Sequence, residues 1–159
     1  MLPGGKVGFY KGLIDFADNE DQIAAVMGHE TGHVTQRHAA LRAGQQQATA
    51  LGLALGSVAV GATGISNDQK NAALAIMGAG ATVGVMLPFS RQNELEADIV
   101  GVDYMQAAGY DVTQAITLWQ KMGAASQGRP TEWMSTHPNP ETRIDELRRD
   151  INSRGYARV

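Results

Sequence analysis

The chain has 159 residues, 13 Lys and Arg against 16 Asp and Glu, a formal net charge of -3 and no cysteine. This length suits one domain with a real core. Dispersed basic residues argue against a nucleic-acid binder, and without cysteine there is neither a disulfide nor a thiolate metal ligand.

Met1-Leu2-Pro3-Gly4-Gly5 is followed by the alternating run Val7-Gly8-Phe9-Tyr10, which reads as a strand after a glycine turn. Leu13, Ile14 and Phe16 then lead into a long helix predicted over about residues 19–43. Asn19 is its cap, Gln22 stands at N3, and Glu20 and Asp21 fill the first turn. Ile23, Val26, Met27, Val34 and Leu41 recur at helical spacing and predict a buried stripe.

Inside this helix stands His29-Glu30-Thr31-Gly32-His33, the pattern H-E-x-x-H. Residues four apart differ by only about 40° around a helix, so both imidazoles project from one face and can grip one metal ion. Glu30 beside them can reach a water on that ion, and the three groups make up most of a hydrolytic zinc site. A surface helix with two solvated histidines is the alternative for so short a pattern. Gly28 and Gly32 flank the motif at a cost to the helix of about 1 kcal/mol each relative to alanine, which predicts a close approach to that face. His38 lies about 140° around the helix from His33 and is expected to be an exposed helix histidine.

No charged residue occurs from Ala43 to Asn67 or from Asn71 to Ser90. Each stretch is long enough to span a bilayer. Their Ala/Gly-rich composition and lack of basic anchors favour two helices packed closely as a hairpin around Gly64–Asp68, with membrane association as the alternative. Pro88 then separates off a new helix, with Ser90 as its expected cap. On it Glu94 and Asp98 share a face, while Glu96 points away. One carboxylate can bind the metal and the other can accept the free ring N–H of a ligating histidine; Glu94 is taken as the ligand. Gly109 should end this helix, and Asp111 or Thr113 should cap another through Leu118, Trp119 and Met122. Residues 126–139 form the longest irregular stretch, with Trp133 and Met134 just before His137. Asn139-Pro140 opens the last helix, which runs through Leu147 and Ile151 to Gly155.

Together, H-E-x-x-H at residues 29–33 and S-R-x-x-E-x-x-A-D at residues 90–98 resemble the zinc metallopeptidases that include HtpX and the CAAX prenyl proteases. Leu2–Gly5 with Val7–Tyr10, and Ser135-Thr136-His137-Pro138 with Arg143, extend the likeness over nearly the whole chain. It looks closest to the soluble, periplasmic LoiP/BepA-type branch of Gram-negative bacteria. The resemblance implies a mainly α, zincin-like gluzincin domain over residues 1–159, with a small or truncated β-sheet and about six helices. The edge strand that family members carry before Pro-Gly-Gly is expected to be missing from this chain.

It further implies one Zn2+ held by His29, His33 and Glu94, with Glu30 as catalytic base. Asp98 would bond His29, His137 would steady the oxyanion or block the resting site, and Arg143 would brace that region. The implied activity is endopeptidase hydrolysis of polypeptides, such as misfolded envelope proteins, in the periplasm or at the outer membrane. A zinc-bound latent domain serving mainly as a binding or assembly factor is the rival.

Overall fold

The computed structural model describes residues 11–125 and 140–156, so the strand expected at Val7–Tyr10, the Trp133–Met134 pair and His137 lie outside the described residues. Among the described residues all regular structure is helical: α1 (Lys11–Phe16), α2 (Glu20–Thr35), α3 (His38–Gly61), α4 (Asn67–Ala81), α5 (Leu87–Ala108), α6 (Thr113–Ala125) and α7 (Pro140–Arg154), with a π-helical segment at Thr82–Met86. The chain divides into two compact units, one formed by residues 1–36 and 93–159 and the other by 37–92.

In the first unit, α2 begins as its sequence dictates. Asn19 Oδ1 accepts the Gln22 N–H at 2.9 Å and Gln22 Oε1 accepts the Asp18 N–H at 2.9 Å, which satisfies two backbone donors that the helix start would leave open. Gln22 Nε2 also donates to Gln114 Oε1 at 3.1 Å, tying this end to α6. Lys121 Nζ reaches both Phe16 O and Asp18 Oδ1 at 2.6 Å, and its ammonium is the main reason that the Asp18 carboxyl lies below the usual carboxylate range.

The core joins Ala25 and Val26 of α2, Val102 and Met105 of α5, Leu118, Trp119 and Met122 of α6, and Leu147 and Ile151 of α7. Each large aliphatic side chain taken fully out of water contributes about 1.5–3 kcal/mol. Asp111 Oδ1 accepts the Thr113 N–H at 2.9 Å and starts α6. Gly109 and Gly155, at φ 81° and 70°, end α5 and α7 in the left-handed conformation that glycine adopts without penalty.

α2 and α5 meet backbone to backbone. A Cβ on Gly28 would lie 2.6 Å from Gly101 O, one on Gly32 2.8 Å from Ala97 O, and one on Gly101 2.7 Å from the His29 nitrogen. The close approach predicted from Gly28 and Gly32 is therefore met by a second small pair, Ala97 and Gly101, one turn apart on α5. Gly101→Ala is expected to cost about 1–3 kcal/mol through overpacking, although alanine is the better helix former by about 1 kcal/mol. Gly44→Ala, where no atom lies within 4 Å of the new methyl, should instead be neutral or stabilising. Urea midpoints of the two variants test the contrast.

Four expectations need correction. The helix predicted over 19–43 is broken: Gln36 caps α2 and Arg37 takes a left-handed φ of 57° before α3 begins. The angle counted for His38 along one continuous helix then no longer applies, and His38 is buried at 2 % exposure. The stripe is also met only in part. Val26 is buried as expected, but Met27, Val34 and Leu41 are exposed, while Gln22, Ala25, Gly28, His29 and Gly32 are buried; at Gly28 and Gly32 the backbone of α5 comes too close for a larger side chain. Finally, Ser90 lies inside α5 and does not cap it. Pro88 has no N–H to donate, and the wider turn just before it, where the Leu87 N–H bonds Thr82 O, lets the helix run on.

The second unit contains the hairpin. Ser66 and Gln69 form a reciprocal capping box at the start of α4, and Lys70 Nζ donates to Gly61 O at 3.0 Å across the turn. Gly56 on α3 leaves room for the Met77 methyl of α4.

Candidate metal centre

The helix contact sets the distances at the centre. His29 and His33 stand one turn apart on α2, Glu94 and Asp98 one turn apart on α5, and the backbones between them touch. His29 Nε2 and His33 Nε2 are 3.0 Å apart. Glu94 Oε2 lies 3.5 Å from the first and Oε1 3.5 Å from the second. The structure thus gathers His29, His33 and Glu94 into one group, with a ligand atom from each inside a 4.8 Å span.

Ligands about 2.0–2.1 Å from a tetrahedral zinc ion stand about 3.3 Å from one another. The observed separations match that requirement, and two imidazole nitrogens with one carboxylate are a donor set suited to zinc. Glu94 is fully buried, His29 is 1 % exposed, and the His33 side chain is 15 % exposed, so His33 is the most exposed of the three. Glu30 follows His29 on α2 and is partly buried.

Behind these three candidate ligands, Asp98 Oδ1 lies 2.8 Å from His29 Nδ1. A proton on Nδ1 donated to this carboxylate leaves the Nε2 lone pair directed at His33 and Glu94. Arg143 on α7 locks the carboxylate in turn, with Nε to Oδ2 at 2.6 Å and Nη2 to Oδ1 at 2.7 Å, and its Nη1 is 3.4 Å from Glu94 Oε2. Trp119 completes the wall. Its ring meets the His29 ring edge-on at a centroid distance of 5.6 Å, and the Arg143 guanidinium lies 5.2 Å from its centre.

Each of these groups is costly to bury alone, and pairing reverses the cost. Burial pulls the His29 pKa down, but the Asp98 charge and hydrogen bond outweigh it and the net shift is upward. Burial pushes the Asp98 carboxyl up, and the charges of Arg143 and then His29 hold it below its ordinary value. The raised His29 has a direct consequence for metal binding, since a ligating imidazole must give up its proton. Zinc affinity should fall by up to about tenfold per pH unit below the raised His29 pKa. Titration against a competing chelator over pH 5.5 to 7.5, values bracketing the ordinary histidine pKa of about 6.5, tests this, and a flat profile would contradict it.

Of the sequence-predicted residues, His29, His33, Glu94, Asp98 and Arg143 come together, and Glu30 is the partly buried residue after His29 on α2; His137 lies outside the described residues. Trp119 and Gly101 belong to the centre without having been anticipated there, and Ala97, part of the motif at residues 90–98, packs against Gly32. The repeat of small residues four apart, Gly28/Gly32 and Ala97/Gly101, is the signal that pairs the two helices.

Comparison with known proteins agrees with this geometry. Residues 1–151 match Peptidase family M48. The chain is 39 % identical over 155 residues to the "Beta-barrel assembly-enhancing protease" of Escherichia coli (strain K12), covering 94 % of this chain and 31 % of that protein. It is 35 % identical over 150 residues to "Mitochondrial metalloendopeptidase OMA1" of Schizosaccharomyces pombe, covering 92 % and 41 %. The Arabidopsis thaliana protein of the same name is 32 % identical over 143 residues, covering 89 % and 27 %. The chain thus spans well under half the length of these relatives. No solved structure matches. With its gathered donors and a match over nearly its entire length, the chain belongs to peptidase family M48.

Proposed function

We propose that the chain is the catalytic domain of a zinc-dependent endopeptidase, with His29, His33 and Glu94 as ligands and Glu30 as general base. The observation that carries this reading is the mutual spacing of three donors from two helices, 3.0 and 3.5 Å, two of them on the helix that also bears Glu30. A purely structural metal site has no use for that carboxylate and fills all four positions with protein ligands.

Bound here, zinc supplies a water whose pKa is lowered to about 7 and a charge that polarises the substrate carbonyl. The carboxylate of Glu30 accepts the proton of the attacking water and passes it to the leaving amide nitrogen. Asp98 holds His29 in the tautomer that presents Nε2, and Arg143 holds Asp98. His137 is assigned to the developing oxyanion as a donor.

Polypeptides are the substrates in this reading, as the names of both sets of relatives support. One set of relatives is named for β-barrel assembly, and in line with that name our reading takes misfolded envelope proteins of a Gram-negative bacterium as the substrates, in the periplasm or at the outer membrane. The test is cleavage of an unfolded protein such as casein by the zinc-loaded chain, with and without chelator. Cleavage that chelation abolishes and zinc restores is expected. A chain that holds one zinc ion and cleaves nothing would favour the latent binding factor.

A further inference from the structure

Helix α3 carries two stripes. On the side that meets α4, Thr49, Leu53, Gly56 and Val60 are partly buried; there Gly56 leaves room for the Met77 methyl and Thr49 Oγ1 lies 3.7 Å from Met86 Sδ. The second stripe is exposed. Leu41, Ala48, Leu55 and Ala62 recur every seven residues, with Leu51 and Val58 interleaved at steps of three and four, which is the period of a coiled-coil seam. Leu55 stands about 140° around the helix from Val60, so the two stripes look in nearly opposite directions. Leu41, Leu51, Leu55 and Val58 are 49, 63, 64 and 71 % exposed, and they are all the exposed large aliphatic residues of α3. Its other exposed positions from 43 to 61 hold Ala, Gly, Gln and Ser.

We propose that the second stripe is the seat of a second copy of the chain, whose own α3 packs against it antiparallel about a two-fold axis. The stripe from Leu41 to Ala62 covers 22 residues. That is about three heptads, the shortest run that sustains a coiled coil.

Packing selects the direction. With the axis midway between Leu51 and Leu55, Leu51 layers on the partner's Leu55 and each Ala48 receives the partner's Val58. A parallel partner would set Ala48 against Ala48 beside layers of paired leucines, and the narrow layer would be left unfilled.

Charge selects the same direction. Arg37 and Arg42 stand at the N-terminal end of α3, where the helix dipole is already positive, and the first turn holds no acidic residue. Antiparallel pairing carries them to the partner's C-terminal end, where the dipole is negative and Asp68 lies in the first turn of α4. Lys70 at that end is drawn back onto Gly61 O at 3.0 Å. Parallel pairing would gather the arginines of both copies at one end.

Two observations favour a second copy over lipid. α3 lies outside the one helical run among the described residues, Asn67–Ala108, that is long and apolar enough to cross a membrane. A helix lying on a membrane surface carries Lys and Arg on its polar face, and none occurs from Ala43 to Asn67.

Sedimentation equilibrium of the full chain tests the proposal. A monomer–dimer equilibrium is expected. Leu55→Glu should weaken the dimer about a hundredfold or more by burying an unpaired charge, with helicity and zinc content unchanged. Ile76→Glu, at a position 72 % exposed on α4, should leave dimerisation unchanged. Because the chain has no cysteine, cross-links report direction. Under mild oxidation Leu51→Cys mixed with a tagged Leu55→Cys chain should give the mixed disulfide, and Leu51→Cys alone should give little. A chain that stays monomeric at every concentration overturns the proposal, whether or not it floats with phosphatidylcholine and phosphatidylglycerol vesicles; flotation would assign the stripe to lipid. Equal weakening by Leu55→Glu and Ile76→Glu, or a dominant self-link at Leu51→Cys, overturns it as well.

Discussion

Glu30→Gln is expected to bind one zinc ion with near-unchanged affinity and to cleave polypeptides about 10²–10⁴-fold more slowly. The amide keeps the size and most of the packing of the carboxylate but cannot accept a proton at neutral pH. Since His29, His33 and Glu94 are untouched, metal content and thermal midpoint should stay close to those of the parent. Parallel measurement of zinc stoichiometry and turnover separates the roles: full activity with full zinc would remove Glu30 from the chemistry, and joint loss of zinc and activity would make it a structural residue. His33→Ala is the companion control, because it should lose metal and stability together.

Arg143→Ala is expected to be the most destabilising substitution outside the ligand set. It removes the bidentate partner of Asp98 and the cation 3.4 Å from Glu94, leaving two buried carboxylates short of positive charge. Loss of one member of such a buried pair costs about 3–5 kcal/mol. Loosening Asp98 should also weaken zinc about 10–100-fold through His29.

The pH dependence follows from the sign of the shift. Asp98 has a lowered pKa in the folded protein, so its contribution is complete above the unfolded value of about 3.9. It is lost as the pH falls through the folded value. The gap between parent and variant in urea denaturation should therefore be widest near neutral pH and narrow in acid. Adding Asp98→Asn to Arg143→Ala should recover part of the loss, and strict additivity would show that the two residues do not act as a pair.

How much of this is legible in the sequence depends on whether the determinant is local. His29 beside His33, Glu94 beside Asp98, the Asn19 cap and the stops at Gly109 and Gly155 all follow from residues within a turn or so of each other. Gly28 and Gly32 announce that something comes close to α2, but nothing in their neighbourhood names the backbone of Gly101, which lies beyond the whole hairpin in chain order. The Arg143–Asp98 pair spans 45 residues, and neither arginine nor aspartate carries a local sign of its partner. Trp119 reads like any core aromatic, and only the folded arrangement sets its ring against His29. Arg37 is opaque for a different reason: a left-handed residue that is not glycine is held by its surroundings and leaves no mark in the sequence. The π segment is hidden because Pro88 suggests a break, whereas the chain widens one turn and continues.

The contact at Gly28, Gly32 and Gly101 makes the main chain itself the spacer between ligands. A gap bounded by carbonyls and amide nitrogens cannot be narrowed by exchanging side chains; it can only be wedged open, one carbon at a time. Position 101 is thus a built-in shim, and graded substituents there offer a way to retune the centre from zinc toward larger divalent ions without touching a single donor atom.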